Sequence, residues 1–140
     1  MVDGLGEGDE AAQVAADRDR RRHARLILDA AIGAADPGEC VRRSLELADG
    51  ALTIGGKAHP LTSTSRIRVV GAGKATPSMA QAVEPLLDRH LDGGVINTKY
   101  GHTLPLEHIH TVECGHPIPD QAGVEGANQI LACLEDLAPD

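Results

Sequence analysis

Three short stretches of the chain hold the residue types best able to do chemistry. Gly71-Ala72-Gly73-Lys74 sets an ammonium beside two glycines, and Lys99-Tyr100-Gly101-His102 adds a second lysine and a histidine. Gly115-His116-Pro117-Ile118-Pro119-Asp120 contributes another histidine and an aspartate. Ammonium groups and exposed backbone amides are what hold phosphate or carboxylate oxygen. Gly71 and Gly73 let the backbone approach a ligand closely, and a helix starting just beyond them leaves unpaired amides facing outward. Lys74 at that positive helix end is poorly placed for a lone ammonium, and an anion bound between the two resolves the conflict. The alternative is that both glycines serve tight strand–helix packing and Lys74 lies over the surface.

The familiar phosphate cradles do not fit. A dinucleotide fingerprint needs a third glycine where Thr76 stands, and an acidic ribose partner where Asn97 and Thr98 stand. A nucleotide-binding loop of the Walker type needs glycine at Arg68 and a hydroxyl at Ala75. The candidates are therefore Lys74 as the anion-holding cation, with Gly71, Gly73, Lys99, His116 and Asp120 binding substrate or phosphate. His102 could touch substrate or bond to its own backbone, and His116 could bind a ligand or staple its loop. Asp120 could equally cap a helix. His108 and His110 lack a third ligand nearby, so no metal site is expected.

These stretches need elements to position them. Ile67–Val70 reads as a strand, Gly71–Lys74 as a turn, and Thr76-Pro77 as a helix start with Met79, Ala80, Val83 and Leu87 inward. Pro85 predicts a kink or early break. Gly93-Gly94 then turns the chain into a strand over Val95–Thr98, making a right-handed βαβ unit. A third strand is expected over Ile109–Cys114 and a last helix with Val124, Ala127, Ile130, Leu131 and Leu134 inward. In such a sheet, ligands collect beyond the carboxyl ends of the strands, where all three loops emerge.

Upstream, a helix is expected from near Asp17 to Ala35, opening on Arg20, Arg21 and Arg22, behind a disordered acidic leader over residues 1–16. Asp36-Pro37-Gly38-Glu39 starts a second helix with Val41, Leu45 and Ala48 buried, stopped by Gly50. Leu52–Ile54 and Lys57–His59 flank Gly55-Gly56 as a small hairpin or an extended loop.

Composition narrows the function classes. The 140 residues carry 13 Lys and Arg against 21 Asp and Glu, a net charge of −8, which repels a nucleic-acid backbone. Aromatics are 1% of the chain, Tyr100 alone, which disfavours base-stacking modules. Cys40, Cys114 and Cys133 are widely spaced without a paired motif, and no apolar run reaches the ~18 residues of a membrane span. A cytoplasmic protein without nucleic-acid or membrane partners is expected. The fold class expected is α/β, a partial Rossmann-like parallel sheet with flanking helices.

The ordered set Val69–Ala75 with Met79-Ala80, Thr98–His102 and Gly115–Asp120, together with Ala30–Pro37, resembles the N-terminal segment of the glycerate 2-kinase family, whose members are often labelled hydroxypyruvate reductases. The resemblance implies the N-terminal part of an α/β/α domain over residues 17–140, with the rest of that domain and a C-terminal domain absent. It implies transfer of the ATP γ-phosphoryl group to the 2-hydroxyl of D-glycerate with Mg²⁺, and carries the catalytic role to Lys74. Two alternatives stand beside it: an NAD(P)H-dependent hydroxypyruvate reductase, and a non-catalytic fragment binding an anion or partner. The open sheet edge admits a homo-oligomer or a complementing C-terminal fragment.

Overall fold

The computed structural model describes residues 7–135 and 137, in two compact units that divide after Asp36. The first unit is a single helix, α1 (Glu7–Ala34). It begins well before the expected Asp17, so residues 7–16 are helical where a disordered leader was expected; residues 1–6 lie outside the described residues. Arg20 and Arg21 consequently sit in mid-helix, not at a positive helix end. Each pairs with Asp17 one turn earlier, at 2.8 and 3.6 Å. Such i, i+3 and i, i+4 pairs contribute a few tenths of a kcal/mol, about 0.2–0.5, on an exposed helix.

The second unit opens with α2 (Pro37–Ser44), led by proline in the first turn. The expected helix through Ala48 is not formed. Leu45–Ala48 is strand β1, followed by β2 (Ala51–Ile54) and β3 (Lys57–Pro60) in an antiparallel meander. The reason is the turn chemistry at Asp49-Gly50. Both residues have positive φ, 50° and 73°, as a two-residue hairpin turn requires. Gly55-Gly56 makes the second turn in the same way, as expected.

A parallel sheet follows, ordered β4 (Ile67–Ala72), β5 (Leu91–Lys99), β6 (Ile109–Cys114). β6 has the bounds expected. β5 starts earlier than Gly93-Gly94, which lie within the strand instead of turning into it. Gly93 (φ 91°) accommodates a register irregularity between the Ile67 and Val69 pairings. A Cβ on Gly94 would lie 2.9 Å from the Val69 carbonyl carbon, so only glycine lets β4 and β5 close. α3 (Thr76–Leu87) connects them and continues past Pro85 without the expected break, ending in a 3₁₀ turn over Asp88–His90.

β6 is parallel to β5 with no helix between them. Nine residues, 100–108, run back across α3 as an extended strap. At about 3.3 Å per residue they reach roughly 30 Å, enough to return along a six-residue strand. Gln81 donates to the Pro105 carbonyl, and the Glu84 carboxylate accepts from the N–H groups of Glu107, His108 and Ile109. Partial burial works to raise the Glu84 pKa. The three amides, helped by the charge of His108, outweigh it and hold the carboxyl below its ordinary value.

Ile96 and Asn97 are neighbours on β5 and so point to opposite faces. Ile96 is fully buried with Ala80 of α3 and Ile109 of β6, and Val69, Leu91 and Leu106 pack around them. Asn97 meets Gly126 of α4 (Gln121–Leu134) on the other face. A helix therefore covers each face of the sheet, the α/β arrangement expected. Two inward stripes differ from expectation. Met79 is exposed while Ala82 is buried, and in α4 Val124, Ala127 and Leu131 are exposed while Gly126 is buried and Ile130 is half-buried. α4 presents its glycine to the sheet because the absent side chain lets the helix settle onto Asn97. Beneath the sheet, Arg68 bonds Asp92 at 3.2 Å and donates to the Cys133 carbonyl at the end of α4. No helix among the described residues is long and apolar enough to cross a membrane.

Candidate functional site

β4, β5 and β6 end side by side at Ala72, Lys99 and Cys114, and a hollow of about 460 Å³ opens above those ends. Gly73, Lys74, Lys99, His116 and Asp120 all line it, together with Asn97, Thr98 and Cys114. Gly71 does not. Its α-carbon faces the α3 side of the sheet, where an added Cβ would lie 2.7 Å from Thr76 Cγ2. It lines a separate apolar hollow of about 500 Å³ beside β4, walled by Val41, Val69, Met79 and Val83. That hollow has no charged lining residue, so the chemistry belongs above the strand ends.

The turn after β4 is built around Gly73, whose φ of 120° excludes side-chain-bearing residues. Its N–H is spent internally on the Asn97 carbonyl at 2.9 Å, and its own carbonyl accepts from Thr76 N–H at 3.1 Å. The donors left over are therefore not the glycine amides. Among the described residues, the N–H groups of Lys74 and Ala75 have no hydrogen-bond acceptor. α3 has Ala75 as its N-cap and no side-chain capping bond. The approach to α3 thus combines the free Lys74 and Ala75 amides, a positive dipole end and the Lys74 ammonium. Neither Lys74 nor Lys99 has an ion-pair partner among the described residues.

α4 is the opposite case. Asp120 caps it, accepting from Gly123 N–H at 3.1 Å. The carboxylate also accepts from the Tyr100 hydroxyl at 2.8 Å and from Gly115 N–H. The Gly115 amide, the Tyr100 hydroxyl and the Gly123 amide, in that order, hold Asp120 below the usual carboxylate range. The same bond, first among the causes, raises the Tyr100 hydroxyl above its ordinary value. Asp120 thus works as a cap and loop closure, with its lone pairs engaged.

The loop after β5 is tied down at each residue. Tyr100 N–H donates to the Cys114 carbonyl, Gly101 N–H to Glu113 Oε1, and His102 N–H to the Lys99 carbonyl. His102 Nδ1 lies 3.1 Å from the Tyr100 carbonyl, and the residue is exposed outside the hollow. His116 sits on the rim before a cis peptide bond to Pro117. Among the described residues no group of three His, Cys, Asp or Glu could hold a metal ion, and Cys40, Cys114 and Cys133 form no disulfide.

Residue patterning alone missed Asn97, Thr98, Cys114 and Tyr100. Asn97 and Thr98 are buried at the end of β5, with Asn97 Oδ1 and Thr98 Oγ1 unpartnered among the described residues. A polar pair at the end of an otherwise apolar strand was the available signal.

Comparison with known proteins places the chain in a family. Residues 23–140 match a family described as a domain of unknown function (DUF4147). The chain belongs to that family. A glycerate 2-kinase of Pyrococcus horikoshii is 36% identical over 108 residues, 77% of this chain and 24% of the relative. A protein of Agrobacterium vitis, named as a candidate hydroxypyruvate reductase, is 35% identical over 120 residues, 86% of this chain and 24% of the relative. A crystal structure of a Pyrococcus horikoshii protein superposes with a TM-score of 0.74 at 34% identity, over 84% of this chain and 26% of that one. The chain spans about a quarter of the length of these relatives.

Proposed function

We propose that this chain carries the N-terminal part of a glycerate 2-kinase, a phosphotransferase acting on the 2-hydroxyl of D-glycerate with ATP as donor. One observation carries the reading. Lys74, Lys99 and His116 converge above the ends of three parallel strands, beside a helix start preceded by the free Lys74 and Ala75 amides. Phosphoryl transfer is mainly positioning and charge neutralisation, which these groups can supply. Lys74 with the Lys74 and Ala75 amides binds a phosphate or the glycerate carboxylate, Lys99 adds charge across the hollow, and His116 shapes the rim. Gly73 holds the turn, and Gly71 gives α3 room against β4.

The fit to cofactors is uneven. The phosphate end of ATP suits the cationic hollow. Mg²⁺ finds no set of carboxylates here among the described residues, so no step is derived through it. The alternative, a hydroxypyruvate reductase, needs an acidic ribose partner near the end of β5, where Asn97 and Thr98 are buried instead.

The test is ADP release under saturating D-glycerate and Mg-ATP, against NADH oxidation with hydroxypyruvate, in a full-length protein bearing this segment. Lys74→Ala should lower turnover by about 10²-fold or more, as loss of a preorganised charge does. Because the side chain is exposed, the fold should be kept. Hydride transfer without ADP release, or full activity in the variant, overturns the reading.

A further inference from the structure

Asp120 receives three donors, and they come from different places. Gly115 N–H belongs to the start of the same loop and Gly123 N–H to the first turn of α4. Both bonds keep the 115–120 loop closed on itself. The closure is tight, for a Cβ on Gly115 would lie 3.1 Å from the Asp120 carboxylate. Only the Tyr100 hydroxyl, at 2.8 Å, comes from the loop leaving the neighbouring strand.

That loop carries Lys99, and the loop it reaches carries His116. Two bonds already fasten the bases of both loops, Tyr100 N–H to the Cys114 carbonyl and Gly101 N–H to the Glu113 carboxylate. The Tyr100 hydroxyl adds, among the described residues, the one tie to the far end of the second loop. From this geometry we infer that Tyr100 is a positioning residue of the site: its hydroxyl, donated to Asp120, latches the β5 exit loop to the β6–α4 loop and fixes the gap between Lys99 and His116. The inference rests on the anion-site reading proposed above.

The same bond answers a second need. A carboxylate lining an anion pocket repels the ligand, and hydrogen-bond donors turned toward it offset part of that charge without removing it. With amides and a phenol on it, Asp120 closes the loop without presenting a bare oxygen to the hollow. Glu113 and Cys114 also face Tyr100 and favour its neutral, donating form. Burial is no obstacle to a clean probe, since Tyr100 is 52% exposed and Tyr100→Phe removes one oxygen while leaving both amides on Asp120.

The experiment uses the 140-residue chain, with inorganic phosphate and D-glycerate as separate probes followed by amide NMR. In Tyr100→Phe the Asp120 carboxyl should titrate higher, and amide exchange at His116 and Lys99 should quicken while α4 keeps its protection. Probe affinity should fall about five- to tenfold, the usual scale for losing one ordinary intramolecular hydrogen bond. An unchanged Asp120 titration or unchanged exchange overturns the latch. Wild-type binding of a probe with equal affinity in the variant overturns the positioning role and leaves the anion-site reading intact. A wild-type chain that binds neither probe overturns that reading and the positioning role with it. Should the variant fail to fold, the wild-type chain decides. Acidification through the Asp120 titration must then lower the protection factors of His116 and Lys99 together, once the intrinsic pH dependence of exchange is divided out, and uncoupled behaviour overturns the latch.

Discussion

Replacing Gly126 by alanine inverts the usual rule for helices. In an unencumbered helix interior, Gly→Ala stabilises by about 1 kcal/mol through propensity. Here the new Cβ would lie 2.6 Å from both Cγ and Nδ2 of Asn97, and closer still to Oδ1. Asn97 is buried, and its Nδ2 reaches the Gly123 carbonyl at 3.4 Å, so the amide has little room to swing aside. Overpacking of this kind costs about 1–3 kcal/mol, and contacts this short belong to the upper half of that range. Subtracting the propensity gain leaves a net destabilisation of about 1–2 kcal/mol. For a unit of this size each kcal/mol lowers Tm by about 4–8 °C. Chemical denaturation of the 140-residue chain, followed by circular dichroism, reads the sign directly. Asn97→Ala placed in the Gly126→Ala background should recover part of the loss, because the two residues share one contact. A variant more stable than wild type would refute the packing of α4 on β5, and additive effects would remove Asn97 as the cause.

Two further perturbations probe the frame around the site. Gly94→Ala places a Cβ 2.9 Å from backbone atoms of Val69, which cannot rotate away, so β4–β5 pairing should be lost; a soluble, cooperatively folded variant with native amide protection in β5 would contradict this. Glu84→Gln should weaken the strap over 100–108 by no more than about 1 kcal/mol, allowing for solvent screening of a partly exposed carboxylate. Since the folded pKa lies below the ordinary value of 4.5, the stabilisation is present above that pH and disappears as pH falls through the folded value. The Tm gap between wild type and variant should therefore close on acidification, and a gap that persisted would rule out the ionised clamp.

Several features were legible in the sequence because they depend on local physics. The β-branched Ile109, Thr111 and Val112 marked β6, the Gly55-Gly56 pair gave the β2–β3 turn, and Asp120 before α4 gave a cap. The Asp49-Gly50 turn was equally readable, but the apolar spacing of Val41, Leu45 and Ala48 outweighed it, and one period was taken for the other. The loops leaving the strands could be picked out as a group because parallel strands carry their exits to one edge.

What patterning could not supply is which groups meet across chain-distant elements. Hydrophobic spacing places Val124, Ala127 and Leu131 on one stripe, yet the sheet takes the Gly126 face because Asn97 fills the space a side chain would need. Gly71 and Gly73 look alike in sequence, but one accommodates Thr76 on the α3 side and the other shapes the turn at the hollow. The amino-acid sequence by itself determined the residue types on the rim, the strand–turn–helix order and the charge available to meet an anion. Tertiary packing alone decided which amides remain free, which carboxylate is already engaged and how far apart the cations stand. Those are distances between residues remote along the chain, and they exist only once the sheet has closed.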